Sequence, residues 1–368
     1  MNDFYNNLKL RDGIDIYYND EESFVTFVFL ASRKRLKVKV IHYFVLLISK
    51  LDNDDYLDCF NKYIVTEENK LKFFIFLKYL YKNNVLIEKE WIDLLKFDKE
   101  YKLFLDRHFK YLLDITANGY KEVQSVQQKI HDANVAIIGL GAVGGVLLQE
   151  LVMMGFKNFI LVDHGIIDAQ DVSRNFIFTQ KNIGKRKIDA CEEYIHTINP
   201  FVNIKKHFVS INTDTNLNFL DNFELIINSA NRPYIGYTSI KLSRYIIEKK
   251  NKMLFVCGGF DAHLASLGEL IIPGKTPCAD CYTNYFSTAL KDWKPIKHPV
   301  ENRENVFGGL ASLNLFSASF GAMKILKYYL NEELYNFGGR GEFLFDSYQI
   351  DKFNVNKDPN CQYCKNLR

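Results

Sequence analysis

The run "NVAIIGLGAVGG", residues 134–145, is an apolar stretch that breaks into glycines and then resumes as "VLLQELVMMGF". The short apolar run before the glycines reads as a strand, and the longer run after them as a helix. Gly139, Gly141 and Gly144 therefore spell G-x-G-x-x-G at a strand-to-helix turn. In that setting glycine lets the backbone turn tightly and approach a phosphate, while the helix N-terminus offers free amides and the positive end of its dipole. The next strand, "NFILVD", ends in Asp163, where a carboxylate accepts hydrogen bonds from ribose hydroxyls. These features fit NAD and ATP equally, and a ligand-free glycine turn is the bland alternative.

The residues that follow separate the two nucleotides. "DAQDVSRNFIFTQKNIGKRK", residues 168–187, brings Arg174, Lys185, Arg186 and Lys187 close behind the ribose position. Such a cluster suits a triphosphate, with Lys187 as a point charge and Arg174 as a fork for two oxygens. A solvated basic face is the alternative. A dehydrogenase would also need a nicotinamide site and a hydride-handling acid or base, and no candidate set stands out.

From Asn134 onward strands alternate with helices through "NFILVD", "KRKIDACEEYIHTIN", "VNIKKHFV" and "FELIINSA", the pattern of a doubly wound, mainly parallel α/β sheet. "KMLFVCGGFDAHLASLGELIIPG" reads as hairpins, and the polar loop "KDWKPIKHPVENREN", residues 291–305, precedes the apolar helix "ASLNLFSASFGAMKILKYYL". A polar loop of that length inside a domain is commonly functional or mobile.

Upstream, residues 14–40 hold the β-rich runs "IDIYY", "FVTFVFL" and "RLKVKV", and helical periodicity follows to about residue 95. This small β-then-α module, winged-helix-like, is either a structural lid or dimerisation arm, or a peptide-binding module whose edge strand accepts an added strand. The balance of 47 Lys and Arg against 44 Asp and Glu, a net +3, gives no electrostatic case for nucleic acid or an acidic membrane. The opening "MNDFYNNLKLRDGIDIYYND" lacks a basic segment followed by an apolar one, and the apolar runs elsewhere are short and broken by lysine, so a cytoplasmic chain is expected. Seven cysteines include the pairs Cys278/Cys281 and Cys361/Cys364, each C-x-x-C, with 79 residues between the pairs. Four thiolates suit a closed, tetrahedral structural Zn²⁺, and free or redox thiols are the alternative. Cys257, beside two glycines, reads as a small buried residue.

Taken together, "VAIIGLGAVGG…ILVDHGIIDAQDVSRNFIFTQKNIGKRK…FELIINSANRP…IIPGKTPCADCY…CQYC" resembles the ThiF/MoeB/HesA group of ubiquitin-activating-like adenylating enzymes over about residues 107–368. The "IPGKTPC" approach to the first cysteine pair, the second pair near the end and the extra amino-terminal module resemble its peptide-modifying branch, with MccB of microcin C maturation and PaaA of pantocin A maturation. The resemblance implies a peptide clamp at 1–95, a linker and helical arm at 96–130, and an adenylation domain with a zinc-stapled tail at 131–368. It implies that Gly139, Gly141 and Gly144 line ATP, that Asp163 meets ribose, and that Arg174 and Lys187 meet phosphates.

It further implies a homodimer in which Arg107 and Lys110, in "DRHFKYLL", occupy the family's R-Y-x-R, the second basic residue reaching the neighbouring subunit's ATP. Lysine at 110 keeps the charge and loses the fork. The family's N-x-x-R-Q reads "DVSRN", with Asp171 and Asn175 in the amide positions. Asn231 stands where the family carries an aspartate that helps bind Mg²⁺; its amide oxygen can ligate the ion but brings no charge. Between Cys281 and Cys361 there is no cysteine, which disfavours a thioester relay. The expected activity is ATP-dependent adenylation of a carboxylate or amide on a short ribosomally made precursor peptide. Ring closure, condensation or nucleotide attachment follows, yielding a peptide-derived antibiotic. Activation of a ubiquitin-like sulfur-carrier protein is the alternative, and a binding module without catalysis, which Asn231 would suit, is a third.

Overall fold

Two compact units make up the chain, Met1–Gln128 and Lys129–Arg368. The computed structural model describes residues 7–367 except 20, 22, 52, 54, 55, 233, 251, 259–263, 289–290, 294–307 and 331–338. Most of the polar loop expected at 291–305 thus lies outside the described residues.

In the first unit a three-stranded antiparallel sheet has the order β2-β3-β4. Its strands are β2 (Ile14–Asn19), β3 (Phe24–Phe29) and β4 (Arg35–Lys39); β1 (Leu8–Leu10) instead pairs antiparallel with β5 (Leu86–Glu88). Strict alternation in β3 turns Val25, Phe27 and Phe29 inward, the period of two that a half-buried strand requires. Three helices cover that face: α1 (His42–Ser49), α2 (Tyr56–Tyr63) and α3 (Glu67–Lys82). Thr66 starts α3 by accepting a hydrogen bond from the Asn69 amide at 3.2 Å. Phe44 and Phe73 meet edge to face at 5.0 Å in the core between them. Then come α4 (Lys99–Phe104), capped by Asp98, α5 (Asp106–Ile115) and α6 (Gly119–Asp132).

The second unit is built on a six-stranded sheet of order β12-β10-β9-β6-β7-β8. Parallel pairing joins β6 (Asn134–Ile138), β7 (Asn158–Val162), β8 (Asn203–His207), β9 (Leu225–Asn228) and β10 (Met253–Val256); β12 (Glu269–Ile271) closes one edge antiparallel. β6, β7, β9 and β10 are buried nearly end to end, as strands covered on both faces must be. Among the described residues the α-helices of this unit are α7 (Ala142–Met153), α8 (Ala169–Arg174), α9 (Lys187–Ile198), α10 (Ile235–Lys249), α11 (Ala279–Thr288) and α12 (Ala311–Leu330).

The chain leaves β6 towards β7 on one side and returns to β9 on the other, so the sheet reverses direction between β6 and β9. In open α/β sheets ligands bind in the crevice at that reversal, beyond the carboxyl ends of the strands. A separate antiparallel sheet of order β11-β13-β14 joins β11 (Leu264–Ser266), β13 (Gly341–Leu344) and β14 (Gln349–Lys352); β13 and β14 are not announced by the sequence pattern. Among the described residues no helix is long and apolar enough to cross a membrane.

Candidate nucleotide site and four-cysteine centre

The glycine turn lies at the reversal. Gly139 has a φ of +87°, and a β-carbon on it would stand 2.5 Å from the Ala230 nitrogen beyond β9. One on Gly144 would stand 2.0 Å from the Gly139 carbonyl oxygen and 2.3 Å from the Ser229 hydroxyl. Both positions are glycine because backbone packs on backbone there. The Ser229 hydroxyl, which the sequence does not single out, donates to the Gly139 carbonyl at 2.6 Å and locks the two loops together. Gly141, the residue before α7, faces open space within 4 Å, as a backbone that must admit a ligand does.

Asp163 directly follows β7 and accepts from two backbone amides, Leu140 and Gly165, each at 2.6 Å. It thereby clamps the glycine turn to the end of its neighbouring strand, and each oxygen keeps a second lone pair. From there the chain zips onto the start of α9: the Lys187 amide donates to the Gly165 carbonyl at 3.0 Å, and the Ile167 amide to the Lys185 carbonyl at 2.9 Å. Lys187, the first residue of α9, is so held beside Gly165, in the loop that Asp163 ties to the glycine turn.

Lys187 and Arg174 meet at one carboxylate, Asp171. Its Oδ1 accepts from Lys187 Nζ at 3.0 Å and from an Arg174 guanidinium nitrogen at 3.1 Å. Asp171 is 3% exposed. Burial pushes its carboxyl up, but the Lys187 ammonium and the Arg174 guanidinium outweigh that and hold it below the ordinary carboxylate range. Sequence alone shows Asp171 only as an acid in an amide position; the spacing of 16 residues to Lys187 hides the pairing. Asn175 turns its Oδ1 to the Ile177 amide at 2.8 Å, and its Nδ2 is buried without a partner among the described residues.

Asn231 is exposed in the turn after β9, next to the Ala230 that packs on Gly139. That turn is held by Asn228, fully buried, whose amide group donates to the hydroxyls of Thr238 and Ser239 at 2.8 and 2.9 Å. Gly139, Gly141, Gly144, Asp163, Arg174, Lys187 and Asn231 thus all belong to loops and helix ends at the carboxyl end of the second unit's sheet. Arg107 and Lys110 stand in the first unit, exposed on α5, where Lys110 pairs with Asp106 at 2.8 Å.

The four cysteines converge. The sulfurs of Cys278, Cys281, Cys361 and Cys364 all lie within 4.8 Å of one another and all four residues are buried. Sulfur–sulfur distances of 3.7, 3.5 and 3.4 Å for 278–281, 278–361 and 281–364 approach the roughly 3.8 Å edge of a tetrahedron whose metal–sulfur bonds are about 2.3 Å. The donor set therefore fits a four-coordinate metal ion. Burial pushes the Cys278 thiol up, and a dication among four sulfurs would reverse that preference. Around the centre, the Asp358 amide points at Cys281 Sγ at 3.4 Å, and Arg244 pairs with Asp280 at 2.7 Å while stacking on Tyr363 at 3.8 Å. Cys257 is fully buried, donates to the Ser317 carbonyl at 3.4 Å and has its thiol pushed up to about 12 by burial; it is a core residue.

Residues 111–364 match the ThiF family. The chain belongs to that family. SUMO-activating enzyme subunit 2 of Dictyostelium discoideum is 28% identical over 163 residues, 43% of this chain and 23% of that one. The Nedd8-activating enzyme E1 catalytic subunit of Drosophila melanogaster is 26% identical over 190 residues, 50% of this chain and 41% of that one. The chain thus spans less than half the length of these curated relatives. Among solved structures, MccB of E. coli with ATP aligns over 98% of this chain and 99% of its own at a TM-score of 0.68 and 19% identity. PaaA aligns over 95% and 100% at a TM-score of 0.69 and 15% identity. The shared fold of this ThiF-family chain therefore includes the small first unit as well as the nucleotide-type sheet.

Proposed function

We propose that the chain is an ATP-dependent adenylating enzyme that modifies a short, ribosomally made precursor peptide in the maturation of a peptide-derived antibiotic. The observation that carries this is end-to-end correspondence: both units of the chain have counterparts in MccB, which has been solved with ATP and with MccA. Peptide binds along the first unit. The glycine turn and Asp163 hold the nucleoside and phosphates of ATP in the second. A peptide carboxylate or amide oxygen attacks the α-phosphorus and pyrophosphate leaves, while Lys187 and Arg174 stabilise the charge that builds on the transferring group. The Asn231 amide oxygen, together with the phosphates, would hold Mg²⁺, which would supply further charge neutralisation there. The adenylated peptide is then captured by a nucleophile of the same peptide, which closes a ring and expels AMP, or the nucleotide is retained on the peptide. The four cysteines hold a structural Zn²⁺ that fastens the tail. The enzyme works in the cytoplasm as a homodimer, with Arg107 and Lys110 on the face turned to the second subunit.

The test is ATP–pyrophosphate exchange by purified protein with peptides encoded beside its gene. Peptide-dependent exchange is expected; absence of exchange with every candidate peptide or protein would leave a binding module without catalysis. The relatives that activate SUMO and Nedd8 favour a second reading, adenylation of a ubiquitin-like protein's carboxyl terminus. In that case a small Gly-Gly-terminated protein, and no short peptide, stimulates exchange.

A further inference from the structure

The two cations assigned to phosphate are already engaged. Asp171 Oδ1 sits between Lys187 Nζ and the Arg174 guanidinium, at 3.0 and 3.1 Å. The side chains of Asp171, Lys187 and Arg174 are 5%, 14% and 40% exposed, so the carboxylate lies at the back of the group and the guanidinium at its mouth. Asp171 is not free to swing away. Its other oxygen accepts from the Asp168 amide at 3.3 Å, while the Asp171 amide donates to the Asp168 carboxylate at 2.9 Å, a reciprocal cap at the start of α8. The Lys187 stem runs over Gly165, with its Cδ and Cε 3.1 Å from where a β-carbon there would be.

A carboxylate oxygen between an ammonium and a guanidinium satisfies the same donors that a phosphate oxygen would. Resting on the nucleotide reading above, we propose that Asp171 is a positioning residue that acts as an internal anion: it holds Lys187 and Arg174 in place in the resting site and competes with phosphate for them. Two consequences follow from the physics. The cations need little rearrangement when a ligand arrives, because their rotamers are already fixed. Ligand affinity is lowered by the fraction of time in which the cations are paired with Asp171. A lone phosphate therefore gains little by replacing one anion with another, whereas a triphosphate brings more anionic oxygens than the carboxylate can oppose. Pyrophosphate leaves readily because Asp171, already beside both cations, neutralises them as it departs.

The test is Asp171→Asn, which keeps size, an acceptor oxygen for both cations and the Asp171 amide's bond to the Asp168 carboxylate, and loses the charge together with the acceptor for the Asp168 amide. Calorimetry with inorganic pyrophosphate and with ATP should show binding about tenfold tighter or more than in the wild type, with a steeper dependence on salt. In the exchange assay KM for ATP should fall while kcat also falls, because product release becomes slower. A purely structural Asp171 would move affinity the other way. Equal or weaker pyrophosphate binding by a folded variant overturns the inference while leaving the nucleotide reading intact; binding by neither form overturns both. Should Asp171→Asn fail to fold unaided, millimolar pyrophosphate should restore a cooperative melt by standing in for the carboxylate, and failure to restore it counts equally against the proposal.

Discussion

Lys187 and Arg174 are the residues on which the proposed chemistry turns, and the structure brings them to one point from two different helices, α9 and α8. As charges aimed at a developing anion in a partly dry site, each should contribute more to the transition state than to ground-state binding. Lys187→Ala and Arg174→Ala are each expected to lower peptide-dependent exchange on the order of tenfold to a thousandfold, measured at saturating ATP so that a binding defect does not masquerade as a chemical one. Exchange at the wild-type rate in either variant would remove that residue from the site. The basic residues were legible in the sequence because type and position, behind a glycine turn and a strand-ending acid, restrict what they can touch. Asp171 was legible only as a residue type. A carboxylate in a helical turn reads the same whether solvated or clamped, and only the fold closes the distance to Lys187.

At the scale of the element, the β6–α7 turn separates what glycine does for the fold from what it does for a ligand. An alanine β-carbon at 144 meets the Gly139 carbonyl oxygen at 2.0 Å, so Gly144→Ala forces backbone apart and should cost about 1–3 kcal/mol of stability. Gly141 has a φ of −75° and nothing within 4 Å, so Gly141→Ala should melt like the wild type yet lower exchange on the order of a hundredfold by displacing the phosphates. Thermal melts and exchange rates on the two variants check the contrast; a Gly141→Ala enzyme with full activity places the phosphates elsewhere. The strands flanking this turn were readable because burial on both faces demands an unbroken apolar run. β14 was not, since all four of its residues are exposed and no alternation marks it. The tail it leads into is marked instead by Cys361 and Cys364, which meet Cys278 and Cys281. Purified protein should hold about one zinc ion per chain, and Cys361→Ser should release it and lower the melting temperature while ATP still binds; metal analysis finding no zinc in unchelated protein would count against the staple.

At the scale of the whole molecule, the proposed activity divides between units: recognition of one peptide in the first, nucleotide chemistry in the second. The sheet of the first unit ends at β4, which has a single partner strand among the described residues. The Phe29 amide donates to the Lys34 carbonyl and the Val40 amide to the Ser23 carbonyl, each at 2.9 Å. Because bonding alternates along an antiparallel strand, Leu36 and Val38, between those two, turn their amides to β3, and Arg35, Lys37 and Lys39 turn theirs outward. A peptide adding as a strand would take those outward groups. Lys37→Pro deletes one outward amide and no bond to β3, a substitution an edge strand tolerates. It should abolish peptide-dependent exchange while leaving the ATP-induced rise in melting temperature unchanged. Lys37→Thr keeps the amide and removes the charge together with the ammonium's contact to the Phe24 ring at 4.3 Å. If added-strand hydrogen bonding is what recognises the peptide, the threonine variant exchanges normally and the proline variant does not. Loss in both would assign recognition to charge, and normal exchange in both would move the peptide off this edge altogether.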